Sequence, residues 1–259
     1  MTNNRPILFI DSGIGGLPYC IDFHRKNPLE PVCYLADTQN FPYGPREKEE
    51  LVSILISLTE KLIEKFNPKI IVLACNTATI AALSSLRERF AQIPFVGTVP
   101  ALKPAANTSR KIGVLGTERT IGEIRNLNLV DASCEIIGIA APQLVYFIEH
   151  NFDKAGANEK KEMARKYIDL FRAEGADSLV LGCTHFLFLL DEFKNEASPH
   201  IEVFDSLAGI TKRIEFLLDK NNLRADAVSL PSHTLLLTGA SDSFWQDRAQ
   251  KLGFKLELL

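Results

Sequence analysis

The chain alternates short, largely apolar runs with longer stretches in which apolar residues return every three or four positions. The short runs are rich in Ile, Val and Leu and lack the apolar/polar alternation of a half-exposed strand, so they read as strands buried on both faces. They predict strands over 7–10, 32–36, 70–74, 95–97, 111–116, 136–138, 178–181, 201–204 and 234–238. The longer stretches predict amphipathic helices over about 47–66, 78–90, 159–173, 186–196, 207–219 and 243–252. The clearest places Leu51, Leu55, Leu58, Leu62 and Phe66 on one face and is stopped by Asn67-Pro68. Short buried strands alternating with such helices indicate an α/β protein whose mostly parallel sheets are covered by helices on both faces.

Two of the predicted strands end in near-identical phrases. The first reads Ile70-Ile71-Val72-Leu73-Ala74-Cys75-Asn76-Thr77, and the second Leu179-Val180-Leu181-Gly182-Cys183-Thr184-His185. Each brings a thiol to a strand exit, followed by hydroxyl and amide side chains. A lone cysteine in such a place is ordinarily a small buried hydrophobe, which is the reading for Cys20, Cys33 and Cys134. Two matching thiols reverse that expectation. They suit a racemase or epimerase, in which one acid/base group removes a proton and the other returns it from the opposite face. At the first turn of a helix the positive end of the dipole draws a thiol pKa from about 8.5 toward neutrality, so one group serves as thiolate while the other is a thiol.

A faint internal repeat accompanies the pair. The strand and polar turn of 5–16 are echoed by 110–121, and each echo precedes its cysteine by a similar length of chain. The repeat predicts two lobes of related topology, with both thiols at the carboxyl ends of parallel strands, facing the crevice where ligands of α/β proteins bind. The first crossing between lobes is expected in the segment 100–107, which carries Pro104 and several alanines.

Composition narrows the function further. At 259 residues the chain is long enough for one large domain or two ordinary lobes. The formal net charge is −3 and no basic, aromatic-interleaved cluster occurs, which speaks against nucleic acid or an anionic membrane as partner. The polar start and the short run of 7–11 predict neither signal peptide nor membrane span. Five cysteines without CxxC pairs or tight Cys/His spacing indicate reduced thiols and no metal site, and a cytoplasmic location is expected.

Two further stretches are candidates for ligand contact. Asp11-Ser12-Gly13-Ile14-Gly15-Gly16 has Pro18 where a dinucleotide fingerprint needs glycine, and no Walker lysine follows. Its backbone N–H groups suit a small anion such as a carboxylate, although such a loop alone is more often a structural turn. The loop from Asp37 to Pro45, with Tyr43 and Gly44, has a shape fixed by proline and glycine. Asp11, Asp37, Glu149 and His185 are the charged groups placed to tune a thiol or take its proton.

Together these motifs resemble the glutamate racemase family, within the aspartate/glutamate racemases. The resemblance rests on Asp11-Ser12-Gly13 with Gly15-Gly16-Leu17, Ala36-Asp37-Thr38 with Pro42-Tyr43-Gly44, Ala74-Cys75-Asn76-Thr77-Ala78-Thr79, and Gly182-Cys183-Thr184-His185. It implies cofactor-independent interconversion of L- and D-glutamate for peptidoglycan synthesis. Cys75 would deprotonate the D-enantiomer and Cys183 the L-enantiomer, with Asp11, Asp37, Glu149 and His185 as auxiliary acid/base groups. Substrate contacts would fall to Asp11, Ser12, Tyr43, Gly44, Asn76, Thr77, Thr184 and His185. It also implies two α/β lobes, 1–98 with 207–259 and 99–206, the second inserted into the first, and a homodimer as a family habit. Phe186-Leu187-Phe188 is more apolar than the family's usual tyrosine-proline, and Gly239-Ala240-Ser241 stands in place of a Gly-Asp pair. The first strand near Ile7 leaves no room for the extension linked in some relatives to activation by a cell-wall precursor, so none is expected.

Three other readings use the same residues. A racemase of aspartate or a hydantoin shares the two-thiol logic. A cysteine hydrolase needs one nucleophile, one base and an oxyanion hole, and leaves the second cysteine dispensable. A two-lobed binding protein for a small anion binds without exchanging the α-hydrogen.

Overall fold

A computed structural model of the protein describes residues 3–124, 134–226 and 232–259. The chain divides into two compact units, one comprising 1–98 with 207–259 and the other 99–206.

The first unit is built on six parallel strands. These are β1 (Ile7–Asp11), β2 (Val32–Ala36), β3 (Ile70–Leu73), β4 (Phe95–Gly97), β9 (Thr234–Leu237) and β10 (Lys255–Leu258), in the order β10-β9-β2-β1-β3-β4. Its helices are α1 (Leu17–Lys26), α2 (Lys48–Phe66), α3 (Asn76–Arg89), α9 (Leu207–Lys220) and α10 (Ser243–Leu252). Every residue of β1, β2 and β3 is buried, because α2 and α3 cover one face of the sheet and α1 packs on the other. Successive side chains take opposite faces: Leu8 and Ile10 join the α2/α3 core with Leu51, Leu55 and Leu58, while Phe9 meets Phe23 of α1 at a 6.0 Å ring separation. Each such leucine contributes about 1.5–3 kcal/mol by leaving water. Helix α2 ends at Asn67, whose φ of 45° is left-handed and whose N–H closes on the Ile63 carbonyl.

The second unit holds β5 (Lys111–Gly116), β6 (Glu135–Ala140), β7 (Ser178–Leu181) and β8 (Glu202–Phe204), all parallel, in the order β6-β5-β7-β8. Helices α4 (Leu102–Thr108), α5 (Glu118–Glu123), α6 (Pro142–His150), α7 (Ala157–Ala173) and α8 (Leu190–Ala197) surround it. The order β2-β1-β3-β4 in the first unit is the order β6-β5-β7-β8 in the second. Cys75 follows β3 and Cys183 follows β7, so the two thiols hold equivalent places in two copies of one topology.

Two expectations are corrected. The segment 100–107 is not a linker but largely helix α4; Pro104 is tolerated because its missing N–H falls in the first turn, where no intrahelical acceptor exists. The helix expected over 186–196 divides into a 3-10 turn, Thr184–Leu189, and α8, because Phe186, Leu187 and Leu189 must all be buried and an amphipathic α-helix buries only one stripe. Strand β10 and helices α1 and α5 lie outside the elements that the sequence pattern predicts, because they carry no clear periodic signal.

Candidate active site

In the first unit the candidate residues collect along one edge of the sheet, where β2, β1 and β3 end side by side. Asp11 is the last residue of β1, Asp37 follows β2 and donates its N–H to the Asp11 carbonyl at 2.8 Å, and Ala74 donates to the Ile10 carbonyl at 2.8 Å. Cys75 comes next. It caps α3 in an extended conformation, φ −141° and ψ 123°, while Asn76 and Thr77 enter the first turn. The thiol is therefore at the positive end of a 14-residue helix. Cys75, Asn76, Thr77, Asp11 and Ser12 are all buried, the thiol residue to 8% exposure.

The glycine-rich turn after β1 is held by its own aspartate. Asp11 Oδ1 accepts the Gly13 N–H at 2.9 Å and the Ser12 hydroxyl at 3.4 Å, and Tyr34 donates its hydroxyl to the Gly13 carbonyl at 2.8 Å. Gly16 is required by close approach, since a Cβ there would sit 2.6 Å from the Ala74 Cβ and 2.7 Å from its carbonyl oxygen. The turn thus packs directly against the residue before Cys75.

Asp37 is the centre of a second network. Its carboxylate accepts the Tyr43 hydroxyl at 2.8 Å, the Asn40 side-chain amide at 3.0 Å and the Thr238 hydroxyl at 2.6 Å. Tyr43 is 1% exposed and belongs to the same buried cluster as Cys75. Burial first, and then the Asp37 carboxylate, push its phenol well above the ordinary range, so Tyr43 is a fixed donor. Gly44 lies in the half-buried turn that follows. Beyond Asp37, a cavity of about 400 Å³ opens between Gln39, Asn40, Ser57, Lys61 and Thr238.

In the second unit a linear array leads away from the other thiol. Cys183 Sγ lies 3.7 Å from His185 Nδ1, and His185 Nε2 lies 2.8 Å from Glu149 Oε2 on α6. Cys183, Thr184, His185 and Glu149 are all buried. Burial opposes charge on the ring, yet the hydrogen bonds and negative charge of Cys183 and Glu149 prevail and hold the His185 pKa well above its ordinary value. Cys183 opens only the six-residue 3-10 turn, so its nearest polar neighbour is the His185 imidazole rather than the end of an extended helix. Phe186 and Leu187 pack inward, and half-buried Phe188 meets the Phe152 ring edge-on at 5.3 Å.

Sequence reasoning missed the part played by three threonines, of which Thr79 falls in the Cys75 motif with no role assigned and Thr98 and Thr238 fall outside the candidate stretches. Thr98 donates its hydroxyl to the Leu73 carbonyl at 3.1 Å, and Thr79 does the same at 3.3 Å while accepting the Thr98 N–H at 3.0 Å, so both fix the strand end that carries Cys75. Thr238 follows β9 and reaches Asp37 from the far end of the chain. For Thr98 and Thr238 the one sequence signal is a polar residue directly after an apolar run. Among the described residues no group of three His, Cys, Asp or Glu side chains is arranged to hold a metal ion, and no helix is long and apolar enough to cross a membrane.

Residues 25–213 match the Asp/Glu/Hydantoin racemase family. The chain is 36% identical over 256 residues to the glutamate racemase of Corynebacterium diphtheriae, covering 97% of this chain and 95% of that one. It is 37% identical to the glutamate racemase of Shewanella piezotolerans, covering 84% and 82%. Among solved structures it superimposes on Escherichia coli glutamate racemase in complex with L-glutamate and the activator UDP-MurNAc-ala, with a TM-score of 0.84 at 28% identity and 98% coverage of both chains. A glutamate racemase isoform from Bacillus anthracis gives a TM-score of 0.83 at 29% identity, covering 99% and 97%. The chain therefore belongs to the Asp/Glu/Hydantoin racemase family of isomerases.

Proposed function

We propose that this protein interconverts L- and D-glutamate without a cofactor, using Cys75 and Cys183 as a pair of acid/base groups on opposite faces of one Cα. The observation that carries the reading is the equivalence of the two thiols, each following the third strand of a β2-β1-β3-β4 arrangement and each capping a helical turn. Curated relatives at 36% identity are glutamate racemases, and the Escherichia coli relative holds L-glutamate, which favours glutamate over aspartate or a hydantoin.

In the D-to-L direction the Cys75 thiolate takes the α-proton and becomes a thiol, leaving the electron pair on Cα and the adjoining carboxylate. The Cys183 thiol then gives its proton to the opposite face and becomes the thiolate. The next turnover in the reverse direction starts from that state, with His185, backed by Glu149, stabilising the sulfur anion. The enediolate-like intermediate needs donors at the substrate carboxylate. Ser12, Asn76, Thr77 and Thr184, with the N–H groups of the first turn of α3, are the groups assigned to that work. For the reacting atoms to lie within about 3–3.5 Å, the two sulfurs in the glutamate complex are expected roughly 6–7.5 Å apart.

Asp11 and Asp37 act on the Cys75 side, and supply of D-glutamate for peptidoglycan in the cytoplasm is the role this activity serves. Cys75→Ala and Cys183→Ala, each assayed with chiral detection on purified protein and a panel of glutamate, aspartate and hydantoins, test the reading. Each variant is expected to lose racemisation of glutamate by at least about a thousandfold. Full racemisation in either variant contradicts the two-thiol scheme. A preference for aspartate or a hydantoin contradicts the substrate assignment.

A further inference from the structure

The third end of the Asp37 network comes from a part of the chain that no candidate motif includes. Strand β9 lies beside β2, and the Thr238 N–H continues the ladder to the Ala36 carbonyl at 3.3 Å. Thr238 then does two things with one hydroxyl, accepting the Gln39 N–H at 3.0 Å and donating to Asp37 Oδ1 at 2.6 Å. Gly239 completes a reciprocal clasp by donating its N–H to Thr38 Oγ1 at 3.0 Å. A Cβ at 239 would lie 2.7 Å from that same oxygen, so the approach is as close as glycine allows.

The strand order β9-β2-β1-β3 puts Thr238 three strands from Cys75, about 14 Å away at the usual interstrand spacing. Thr238 therefore cannot touch the reacting carbon, and any effect on chemistry must be relayed. The relay is visible: Thr238 orients the Asp37 carboxylate, whose other oxygen holds the Tyr43 hydroxyl at 2.8 Å, and Tyr43 lies in the buried cluster that contains Cys75. A negative charge on Cys75 is among the causes that raise the Tyr43 pKa, after burial and Asp37, so the two groups sense one another.

We propose that Thr238 is a positioning residue for the Cys75 face of the reaction, its hydroxyl locking the Asp37 turn so that Tyr43 keeps its place in the buried cluster that carries the thiol. The inference rests on the assignment of Cys75 as an acid/base group. A merely structural clasp would lower stability and slow both faces alike; a positioning clasp slows the Cys75 step in particular.

Thr238→Val keeps the shape and removes the hydroxyl, and Thr238→Ser keeps the hydroxyl. Asn40 and Tyr43 still hold Asp37, so kcat/KM is expected to fall by about tenfold in Thr238→Val, less than the hundredfold that a 1 Å misplacement produces. Because enantiomers have equal free energy, kcat/KM falls equally from D- and from L-glutamate, and the isotope effects separate the faces. With Cα-deuterated substrates, a slower Cys75 step raises the effect on kcat/KM measured from D-glutamate and lowers that from L-glutamate. Thr238→Ser is expected within twofold of the parent, with the parent isotope effects.

Thr238→Val within twofold of the parent overturns the proposal, as does a fall with both isotope effects unchanged, or a Thr238→Ser variant as slow as Thr238→Val. Should Thr238→Val not fold, Thr238→Ser and Gly239→Ala carry the test: Gly239→Ala, which pries the same clasp open, is expected to give the Thr238→Val signature, and parent isotope effects in it overturn the proposal. If Cys75→Ala is itself active, the assignment beneath the proposal fails, a result distinct from any of these.

Discussion

His185 Nε2 and Glu149 Oε2 lie 2.8 Å apart with both side chains buried, and the other ring nitrogen faces Cys183. A buried carboxylate behind an imidazole fixes the tautomer and favours the charged ring, in the way that a third group orients the base in a catalytic triad. Glu149→Gln keeps a polar group there and removes the charge. Steady-state kinetics on this variant are expected to show kcat/KM reduced about 10- to 100-fold, with a larger Cα-deuterium effect from L-glutamate, where Cys183 removes the proton. Unchanged kinetics would show that the pair serves only to fill the interior.

A second pH-sensitive group lies away from the thiols. His233 packs on His24 at a 4.2 Å ring separation and on Phe254, and its Nδ1 accepts the Val32 N–H at 3.4 Å. Burial, with His24 adding repulsion, lowers its pKa to about 4. The unfolded chain takes up this proton near pH 6.5, the folded one only near 4, so the unfolded state binds more protons between those values. Stability contributed by the neutral ring is present above about 6.5 and lost as pH falls through 4. Urea unfolding of His233→Asn, which keeps an acceptor for Val32, is expected to decline less steeply with acid over that window than the parent. Parallel declines would contradict it.

Lys69 and Glu30 form an ion pair at the opposite edge of the first sheet. The lysine side chain is fully buried and the glutamate 4% exposed; Lys69 also donates to the Asn3 carbonyl, and Glu30 accepts the Ala225 N–H at 3.0 Å. Burial lowers the Lys69 pKa, and Glu30 acts against that fall. Lys69→Met leaves a carboxylate stranded and is expected to cost about 3–5 kcal/mol in denaturant unfolding. Lys69→Met with Glu30→Leu removes both charges and is expected to recover much of that loss. Equal losses in the single and double variants would contradict the account.

Much of this was legible before any coordinates. The runs ending at Ala36, Gly116 and Leu181 are apolar but for Lys111 and Ser178 at their starts because helices cover both sheet faces, and that same burial makes them conspicuous in sequence. Strand β10 escaped because Lys255-Leu256-Glu257-Leu258 lies at the sheet edge, half wet, and offers only a short alternation. Helix α1 escaped because Gly15, Gly16 and Pro18 read as a turn, whereas Pro18 occupies a first-turn position that needs no N–H donor. At the site, Cys75, Cys183, His185 and Glu149 were each identifiable by residue type, and the hydrogen bonds joining the last three were not. Those bonds depend on α6 and the 3-10 turn packing together, a tertiary contact across some thirty residues of chain. Thr238 was illegible for the same reason, since its partner lies two hundred positions away.

The most direct test of the two-thiol scheme follows the fate of the α-hydrogen. L-Glutamate incubated with the protein in deuterium oxide and analysed at low conversion should give D-glutamate fully deuterated at Cα, because Cys183 carries the removed proton away while Cys75 delivers a solvent-derived one, and the remaining L-glutamate should retain protium. Product D-glutamate that keeps the original hydrogen, or L-glutamate that acquires deuterium as fast as product forms, would show one group serving both faces and would contradict the scheme.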